Sequence, residues 1–529
     1  MANGIGIQTA IYKSPSPFNS LRPWEFVHPT KIINNEREIK MGSLKNLMFI
    51  VLLTTLATPQ IVKIPDTNAG RLLRSFLDVV ETGNVEDFIN NKFGERILKT
   101  IPVEKHIRFL KMIHKMHGGF VVYKIIESEE NKIEVVCKSN KNRGWRRVLI
   151  GTNDDSPNKI LFIDITQTTP PEEYFSTLPK IKIERPKNDD SIIKGKLGKK
   201  IDSYMRKIES IGFSGALIVA KNDTIILARG YGYADRENKK IFSRKTVFTI
   251  GSITKQFTGA AIVKLHSMGK ISFNDPITKY FKNVPDDKKK ITIHELLTHT
   301  AGFSEAIGDD YEKISRDDFI KRAMSSKLKY EPGKQYSYSN VGYSLLGAII
   351  EIVTGESYES FLRENLFLPA GMKNTGYVIP DWNEDDIVIG YMGSRKWGRP
   401  TNLLWGKDGP GWNLKCNGGI LSTIDDMCKW GRAILGPHLF TEEEKKNYLT
   451  PYVPEGPGAK SYYSYGSVRM KLDSKIDVIT HNGGNPYIQN DMYIFPDKKV
   501  IMFITSNNGE FSALDQSEKI LKMIFKQQK

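Results

Sequence analysis

The chain has few cysteines and lacks several common catalytic motifs, which limits what it can be. Its 529 residues include three cysteines, Cys137, Cys416 and Cys428, too few for a disulfide framework. The sequence leaves open whether Cys416 and Cys428 pair. It has no cysteine pair with zinc-ligand spacing, no phosphate-binding Walker loop and no Gly-x-Ser-x-Gly elbow. We therefore predict neither a metal site nor a cofactor.

Acidic residues are outnumbered by basic ones, which gives a formal net charge of +17. The basic residues are scattered, with the densest clusters at residues 141–147 and 194–200. Because no nucleic-acid motif accompanies them, a solvated basic surface is the favoured interpretation and no nucleic-acid partner is predicted. The charge is compatible with attraction to anionic polymers of the cell envelope.

Long apolar runs are also scarce, and the clearest one lies near the N-terminus. Residues 47–57 form an apolar segment that follows a short basic one, residues 41–46. It is too short for a membrane-spanning helix and has the length of a signal peptide. We predict a signal peptide at residues 41–58 and a secreted or periplasmic protein, with membrane contact only through this segment. Residues 1–40 are interpreted as an upstream extension before Met41. The alternatives for the apolar segment at residues 47–57 are a buried helix or an uncleaved membrane anchor.

Two further domains follow, both predicted as α+β. Residues 66–169 begin with amphipathic helical patterns at 71–80 and 103–117 and continue with alternating strands at 120–126, 132–137, 146–150 and 159–164. This order weakly resembles the ketosteroid-isomerase-like cone fold, and without an acid–base pair it indicates an accessory or binding module. Residues 170–195 are predicted as a linker. Residues 196–529 predict an antiparallel sheet flanked by helices, with a helical lobe inserted in it.

Ser252 and Lys255 form the most informative pattern of the second domain. A serine and a lysine three residues apart on a helix share one face, so the amine can activate the hydroxyl. The same spacing occurs at Ser191 and Ser326, where nothing suggests function. Only Ser252 is followed by a broadly apolar helical pattern, in which a lysine near the start is costly without a role.

Two more motifs follow Ser252-x-x-Lys255 in order: Tyr338-Ser-Asn340 and His481-Asn-Gly483. This order resembles the serine β-lactamase and penicillin-binding-protein superfamily, close to its class C branch, over about residues 196–527. The resemblance implies a β-lactamase-like catalytic domain. It also implies a small-molecule or peptide substrate that is an ester or an amide.

The resemblance assigns roles to individual residues. Ser252 would attack a carbonyl and form an acyl-enzyme, and Lys255 and Tyr338 would share the proton, with the choice of base left open. Asn340 would form a hydrogen bond with the substrate amide or orient Lys255. The backbone N–H groups of Ser252 and Gly484 would form the oxyanion hole. His481 and Gly483 would line the substrate site.

In β-lactamases and carboxypeptidases the third motif begins with a lysine, which binds the substrate carboxylate. This chain has His481 at that position instead. A histidine is mostly neutral near neutral pH. The resemblance therefore favours an esterase or a D-amino-acid peptidase over a β-lactamase or a D-Ala-D-Ala carboxypeptidase. A penicillin-binding sensor or binding protein that does not turn over is a further alternative.

His294 and His299 superficially resemble the His-Glu-x-x-His zinc motif. They are five residues apart, so they do not share one helical face as zinc ligands must. We interpret this segment as structural.

Overall fold

The computed structural model describes residues 62–525, apart from residues 142–143, 169, 179, 187–188, 404, 457 and 473. The predicted upstream extension and signal peptide, residues 1–40 and 41–58, lie outside the described residues. Within the described part, no helix has both the length and the apolar character needed to cross a membrane. The described residues divide into two compact units, with the boundary between Thr177 and Leu178.

The first unit consists of four helices, an antiparallel sheet and a short final helix, and the sequence predicts the order of helices before sheet. Its helices are α1 (Asn68–Thr82), α2 (Val85–Lys92), α3 (Glu95–Thr100), α4 (Val103–His117) and α5 (Glu172–Thr177). Its strands β1 (Phe120–Ser128), β2 (Lys132–Ser139), β3 (Trp145–Gly151) and β4 (Phe162–Thr168) pair in sequence order. Apolar residues on one face of α1, such as Leu72 and Phe76, are buried in a core of this unit's own.

The fourth strand of this sheet lies later in the chain than the predicted residues 159–164. Ile160 instead forms a bridge with Phe93, and pairing with β3 begins at Phe162 opposite Gly151. The apolar run at residues 159–164, which predicted a single strand, is thus divided: Ile160 pairs with Phe93, and the residues from Phe162 onward pair with β3. The predicted linker, residues 170–195, contains ordered elements at both ends: α5 near its start and the short strand β5 (Ile192–Ile193) near its end.

A nine-stranded antiparallel sheet forms the centre of the second unit. Its strands, in the order in which they lie side by side, are β14 (Val453–Pro454), β15 (Tyr462–Tyr463), β16 (Val468–Leu472), β17 (Ile476–Gly484), β18 (Gln489–Phe495), β19 (Val500–Ser506), β6 (Gly215–Lys221), β7 (Thr224–Tyr231) and β5. Strand β19 is the last strand in chain order, and its residues Val500 to Ser506 pair with β6. This pairing joins the N-terminal and C-terminal parts of the domain in one sheet.

Short strands and helices complete the second unit. The remaining strands form pairs: β8 (Tyr233–Asp235) with β9 (Lys240–Ile241), β10 (Phe248–Thr249) with β13 (Leu421–Ser422), and β11 (Gly390–Met392) with β12 (Arg395–Gly398). The helices are α6 (Gly195–Glu209), α7 (Thr254–Ser267), α8 (Ile293–Leu297), α9 (Arg316–Ser325), α10 (Asn340–Thr354), α11 (Tyr358–Leu362), α12 (Lys415–Gly418), α13 (Ile424–Leu435), α14 (Glu442–Leu449) and α15 (Ala513–Phe525). Helices α6 and α15 pack on the sheet and on each other, and α13 packs on β6 and β19.

The helical lobe is built around α7, which is buried on all sides for most of its length. Helix α10 packs against it and has clear boundaries. The Ser339 hydroxyl caps its start by accepting a hydrogen bond from the Gly342 N–H at 3.3 Å, and Gly355 ends it with a left-handed backbone at φ 73°. These two helix starts and the end of β17 surround the predicted site.

Candidate active site

Ser252 lies in a tight turn that joins β10 to α7. The turn, Gly251–Ile253, is a single turn of 3-10 helix that runs directly into α7. Gly251 has a positive φ of 55°, a conformation that a side chain would disfavour. Ser252 is partly exposed, whereas its neighbours Gly251 and Ile253 are buried. The turn therefore presents the serine at the surface of an otherwise closed core.

Lys255 lies one helical turn after Ser252, and its side chain is completely buried. Its Nζ lies 3.1 Å from Ser252 Oγ and donates to the carbonyl oxygen of Asn417 at 2.8 Å. Burial lowers the pKa of Lys255 to about 7, an effect that the charges of Asp310 and Glu305 partly oppose. A lysine with this pKa is substantially neutral near pH 7, so it can accept a proton.

Tyr338 faces the same amine from the start of α10. Lys255 Nζ lies 4.7 Å from the centre of its ring. Burial raises the pKa of Tyr338 far above its usual range, although interaction with Ser252 opposes this. The two hydroxyl groups are neighbours but do not meet hydrogen-bond geometry in this arrangement. Tyr338 is therefore a proton donor rather than an ionised base in this resting form.

The third motif lies at the end of β17. Strand β16 pairs with β17 from Ile476 to Thr480, so residues 481–484 extend past its end and run beside the serine turn. A Cβ on Gly483 would lie 2.6 Å from Ser252 N and 2.3 Å from Ile250 O, while one on Gly251 would lie 2.0 Å from Gly484 N. Because neither glycine has a side chain, the serine turn and the end of β17 can approach closely, and the Ser252 and Gly484 N–H groups lie where the two segments meet.

His481 is buried in this strand and does not supply a cation. Its Nε2 lies 3.1 Å from the hydroxyl oxygen of Tyr463, and its Nδ1 contacts the carbonyl oxygen of Asn482. Burial, and secondarily the charge of Lys255, lower the pKa of His481 to about 3. The ring is neutral at physiological pH, as its residue type predicts, and it is buried more deeply than the sequence indicates.

Comparison with known proteins identifies the second unit. The family model described as Beta-lactamase matches residues 200–522, more than half of the chain. This chain belongs to the Beta-lactamase family. The predicted family and fold are therefore confirmed, as is the prediction of a serine hydrolase of this superfamily.

Relatives of this family member include penicillin-binding proteins. The putative penicillin-binding protein PbpX of Bacillus subtilis (strain 168) is 30% identical over 285 residues, which cover 53% of this chain and 67% of that protein. Penicillin-binding protein 4* of the same strain is 26% identical over 330 residues, or 58% of this chain and 70% of that protein.

Solved structures share the fold. A penicillin binding protein from Bacillus halodurans has a TM-score of 0.53 and 26% identity, and the match covers 63% of this chain and 100% of that one. A D-amino acid amidase from Ochrobactrum anthropi SV3 has a TM-score of 0.55 and 21% identity over the same shares of the two chains.

The β-lactamase-like site also contains His299, which the sequence suggested only as part of a rejected zinc motif. Its Nδ1 accepts the Ser339 N–H at 3.0 Å, and its ring lies 4.3 Å from that of Tyr338 and 4.4 Å from that of Tyr463. Burial lowers its pKa far below the usual value, so the ring is neutral. His299 thus positions the segment that carries Tyr338. Within the described residues, no group of three or more histidine, cysteine or acidic side chains could hold a metal ion.

We expect His299→Phe, which keeps an aromatic ring but removes the acceptor, to lower the free energy of unfolding by about 1–3 kcal/mol. The reasons are that the buried Ser339 N–H loses its partner and that phenylalanine tolerates the left-handed backbone at position 299 (φ 59°) less well than histidine does. Urea unfolding measures the loss, and His438→Phe, at an exposed histidine, is the matched control. Equal stability of the two variants would show that the Ser339 N–H finds another acceptor.

A segment between α8 and α9, residues 303–311, closes another side of the site. It contains Glu305 and Asp310, whose charges act on both Lys255 and Tyr338. The following Tyr311 contacts Trp397 at a ring distance of 5.7 Å, and Trp397 stacks on Tyr487 at 5.2 Å. The acidic segment that acts on Lys255 and Tyr338 is therefore continuous with a cluster of three aromatic side chains.

The cysteines take no part in this site. Cys137, Cys416 and Cys428 are all free and buried, so the pairing of Cys416 with Cys428 that the sequence left open does not occur. Burial raises the pKa of each thiol, which makes a thiolate nucleophile unfavourable.

Proposed function

We propose that this protein hydrolyses an ester or an amide through an acyl-enzyme formed at Ser252. The observation that carries the proposal is the buried Lys255 amine, 3.1 Å from Ser252 Oγ with its pKa lowered to about 7. A neutral amine at this distance can take the serine proton as the oxygen attacks a carbonyl. The exposed side of Ser252 provides room for that carbonyl.

The other predicted residues have complementary roles in this mechanism. The N–H groups of Ser252 and Gly484 stabilise the negative charge that develops on the carbonyl oxygen. Tyr338, which keeps its proton because of burial, donates to the leaving group while Lys255 holds the serine proton. In the second half of the reaction the same pair accepts a proton from the water that releases the acyl group.

An esterase or D-amino-acid peptidase is the favoured type. A β-lactamase or a D-Ala-D-Ala carboxypeptidase needs a cation that binds the substrate carboxylate, and the neutral, buried His481 cannot serve. The fold that this chain shares with a D-amino acid amidase is consistent with an amide substrate. The predicted signal peptide supports a role outside the cytoplasm.

Covalent trapping tests the nucleophile. We expect a fluorophosphonate probe to label the folded protein once, with the added mass on the peptide that contains Ser252. The same samples are then assayed with a nitrophenyl ester, a chromogenic cephalosporin and a D-aminoacyl anilide, and turnover of the ester or anilide is expected to exceed that of the cephalosporin. Ser252→Ala and heat-denatured protein are the controls.

Each other outcome has a defined meaning. Label on a different residue would contradict the assignment of Ser252. Label on Ser252 without turnover of any substrate would support the alternative of a penicillin-binding sensor that acylates but does not hydrolyse. A preference for the cephalosporin would contradict the argument from His481.

A further inference from the structure

Asn490, on β18, links the strand before the serine turn to the strand that carries the third motif. Its side chain is fully buried. Its Nδ2 donates to Thr249 O at 2.9 Å and to Gly483 O at 3.1 Å. Because both partners are carbonyl oxygens, which only accept, the atom between them is the amide nitrogen and not the amide oxygen. One side-chain NH2 group therefore holds both segments of the predicted oxyanion hole.

The bond to Gly483 O bears directly on an oxyanion donor. The Gly483 carbonyl and the Gly484 N–H belong to the same peptide unit, which is trans, so the two groups point in opposite directions. A donor that fixes the direction of the carbonyl therefore also fixes the direction of the N–H. Donation to the carbonyl polarises the peptide unit as well, which makes its N–H a stronger donor.

The end of β17 needs such an anchor. Strand β16 pairs with β17 only as far as Thr480, so among the described residues 481–484 have their ladder partner in β18. On their other side they run beside the serine turn. The Asn490 bond to Thr249 O reaches that side, because Thr249 lies three residues before Ser252. The NH2 group thus spans the place where the two segments meet.

A simpler interpretation is that Asn490 only stabilises the fold, as other buried asparagines do. Asn507 is an example, because its Nδ2 donates to Ile389 O at 2.8 Å and to Tyr233 O at 3.1 Å. Asn507 Oδ1 also accepts from the Ser214 hydroxyl, whereas Asn490 Oδ1 is buried without a partner among the described residues. A buried acceptor without a donor costs stability, so stability alone does not explain an asparagine at position 490.

We propose that Asn490 is a positioning residue of the oxyanion hole, whose amide group orients the Gly484 N–H and holds it beside the Ser252 N–H. It acts through the backbone rather than by contact with the substrate. The inference rests on the proposed acyl-enzyme function, in which these two N–H groups stabilise the charge that develops on the substrate oxygen. Loss of the NH2 group should therefore weaken binding of the transition state more than binding of the substrate.

The test compares para-nitrophenyl acetate with its thionoester, in which sulfur replaces the carbonyl oxygen. Sulfur is a weak hydrogen-bond acceptor, so the ratio of the two acylation rates measures how well the N–H groups bind a developing oxyanion. Nitrophenol release in the first turnover reports acylation even when the acyl-enzyme is stable. We expect Asn490→Ala to lower the ester rate about 30- to 100-fold and the ester-to-thionoester ratio about tenfold.

Two further variants complete the test. Asn490→Ser keeps one hydroxyl donor, and its ratio should lie between those of the wild type and Asn490→Ala. Asn507→Ala is the matched control, since it also removes a buried amide that donates to two backbone carbonyls, and its ratio should equal that of the wild type. Urea unfolding measures the accompanying loss of stability in each variant. If Asn490→Ala does not fold, a ratio below the wild-type value in Asn490→Ser supports the inference and an unchanged one contradicts it.

Three results would overturn the inference. The first is an equal loss on the ester and the thionoester with an unchanged pH profile, which would make Asn490 a structural residue only. The second is an equal loss with a shifted pH profile, which would mean that Asn490 acts through Lys255. Both leave the proposed function intact, because the wild-type protein still acylates at Ser252. If no substrate acylates the wild type and no probe labels Ser252, the proposed function fails together with this inference.

Discussion

Lys255→Met is expected to lower kcat/KM about 10³- to 10⁴-fold for any ester or amide that the protein hydrolyses, as loss of a general base does. Methionine matches the length and burial of the lysine side chain but cannot accept the Ser252 proton. The Lys255 amine is the group closest to Ser252 Oγ that titrates near neutral pH. Tyr338 cannot replace it easily, because burial raises its pKa.

The pH profile of the wild-type protein follows from the same amine. Burial lowers the pKa of Lys255 to about 7, and only the neutral form, which dominates above this pKa, accepts a proton. We therefore expect kcat/KM to rise with pH and to level off above about pH 7, with a fall of about tenfold per unit below it. Asp310 also titrates at about 7, and its ionised form favours protonated Lys255, so the two ionisations overlap.

Lys255→Arg is the control for charge. Arginine places a permanent cation at this position, because a guanidinium does not lose its proton in proteins. We therefore expect Lys255→Arg to be as inactive as Lys255→Met. Both variants should lose the rising limb of the pH profile. If Lys255→Met keeps activity within about tenfold of the wild type, Lys255 is not the base and Tyr338 takes that role.

The residues of the candidate site could be predicted from the sequence because each of them occupies a short motif. A helix start fixes the distance between Ser252 and Lys255, so local spacing alone predicts their contact. Tyr338 and His481 were predicted to line the same site because their motifs follow Ser252 in the order that is typical of the family. The structure brings all of these residues to one site around Ser252.

Residues that depend on long-range contacts were not predictable in this way. The position of residues 303–311 depends on hydrogen bonds with Ser339, Asn340 and Asn485, which are distant in sequence. His299 was noticed only for its spacing from His294, whereas its contact with the Ser339 N–H needs the two segments to pack. The strand predicted at residues 159–164 shifted for a similar reason, since Ile160 has a partner outside the sheet.

Gly483→Ala is expected to reduce kcat about 10²- to 10³-fold, comparable to the loss of one oxyanion donor. The added Cβ would lie 2.3 Å from Ile250 O and 2.6 Å from Ser252 N. Both neighbours are backbone atoms, so the end of β17 must move away from the serine turn. That movement separates the Ser252 and Gly484 N–H groups, which are needed most when charge develops on the substrate oxygen.

The kinetic pattern distinguishes this effect from general damage. Loss of an interaction made in the transition state lowers kcat and kcat/KM together, with KM little changed. Gly456→Ala is the control, because a Cβ there meets no atom within 4 Å and should leave the rate unchanged. Fluorophosphonate labelling should slow in Gly483→Ala in proportion to kcat, since the probe also develops charge on an oxygen at this junction. A variant with wild-type kcat would mean either that β17 accommodates the methyl group without separating the two N–H groups or that the oxyanion hole lies elsewhere.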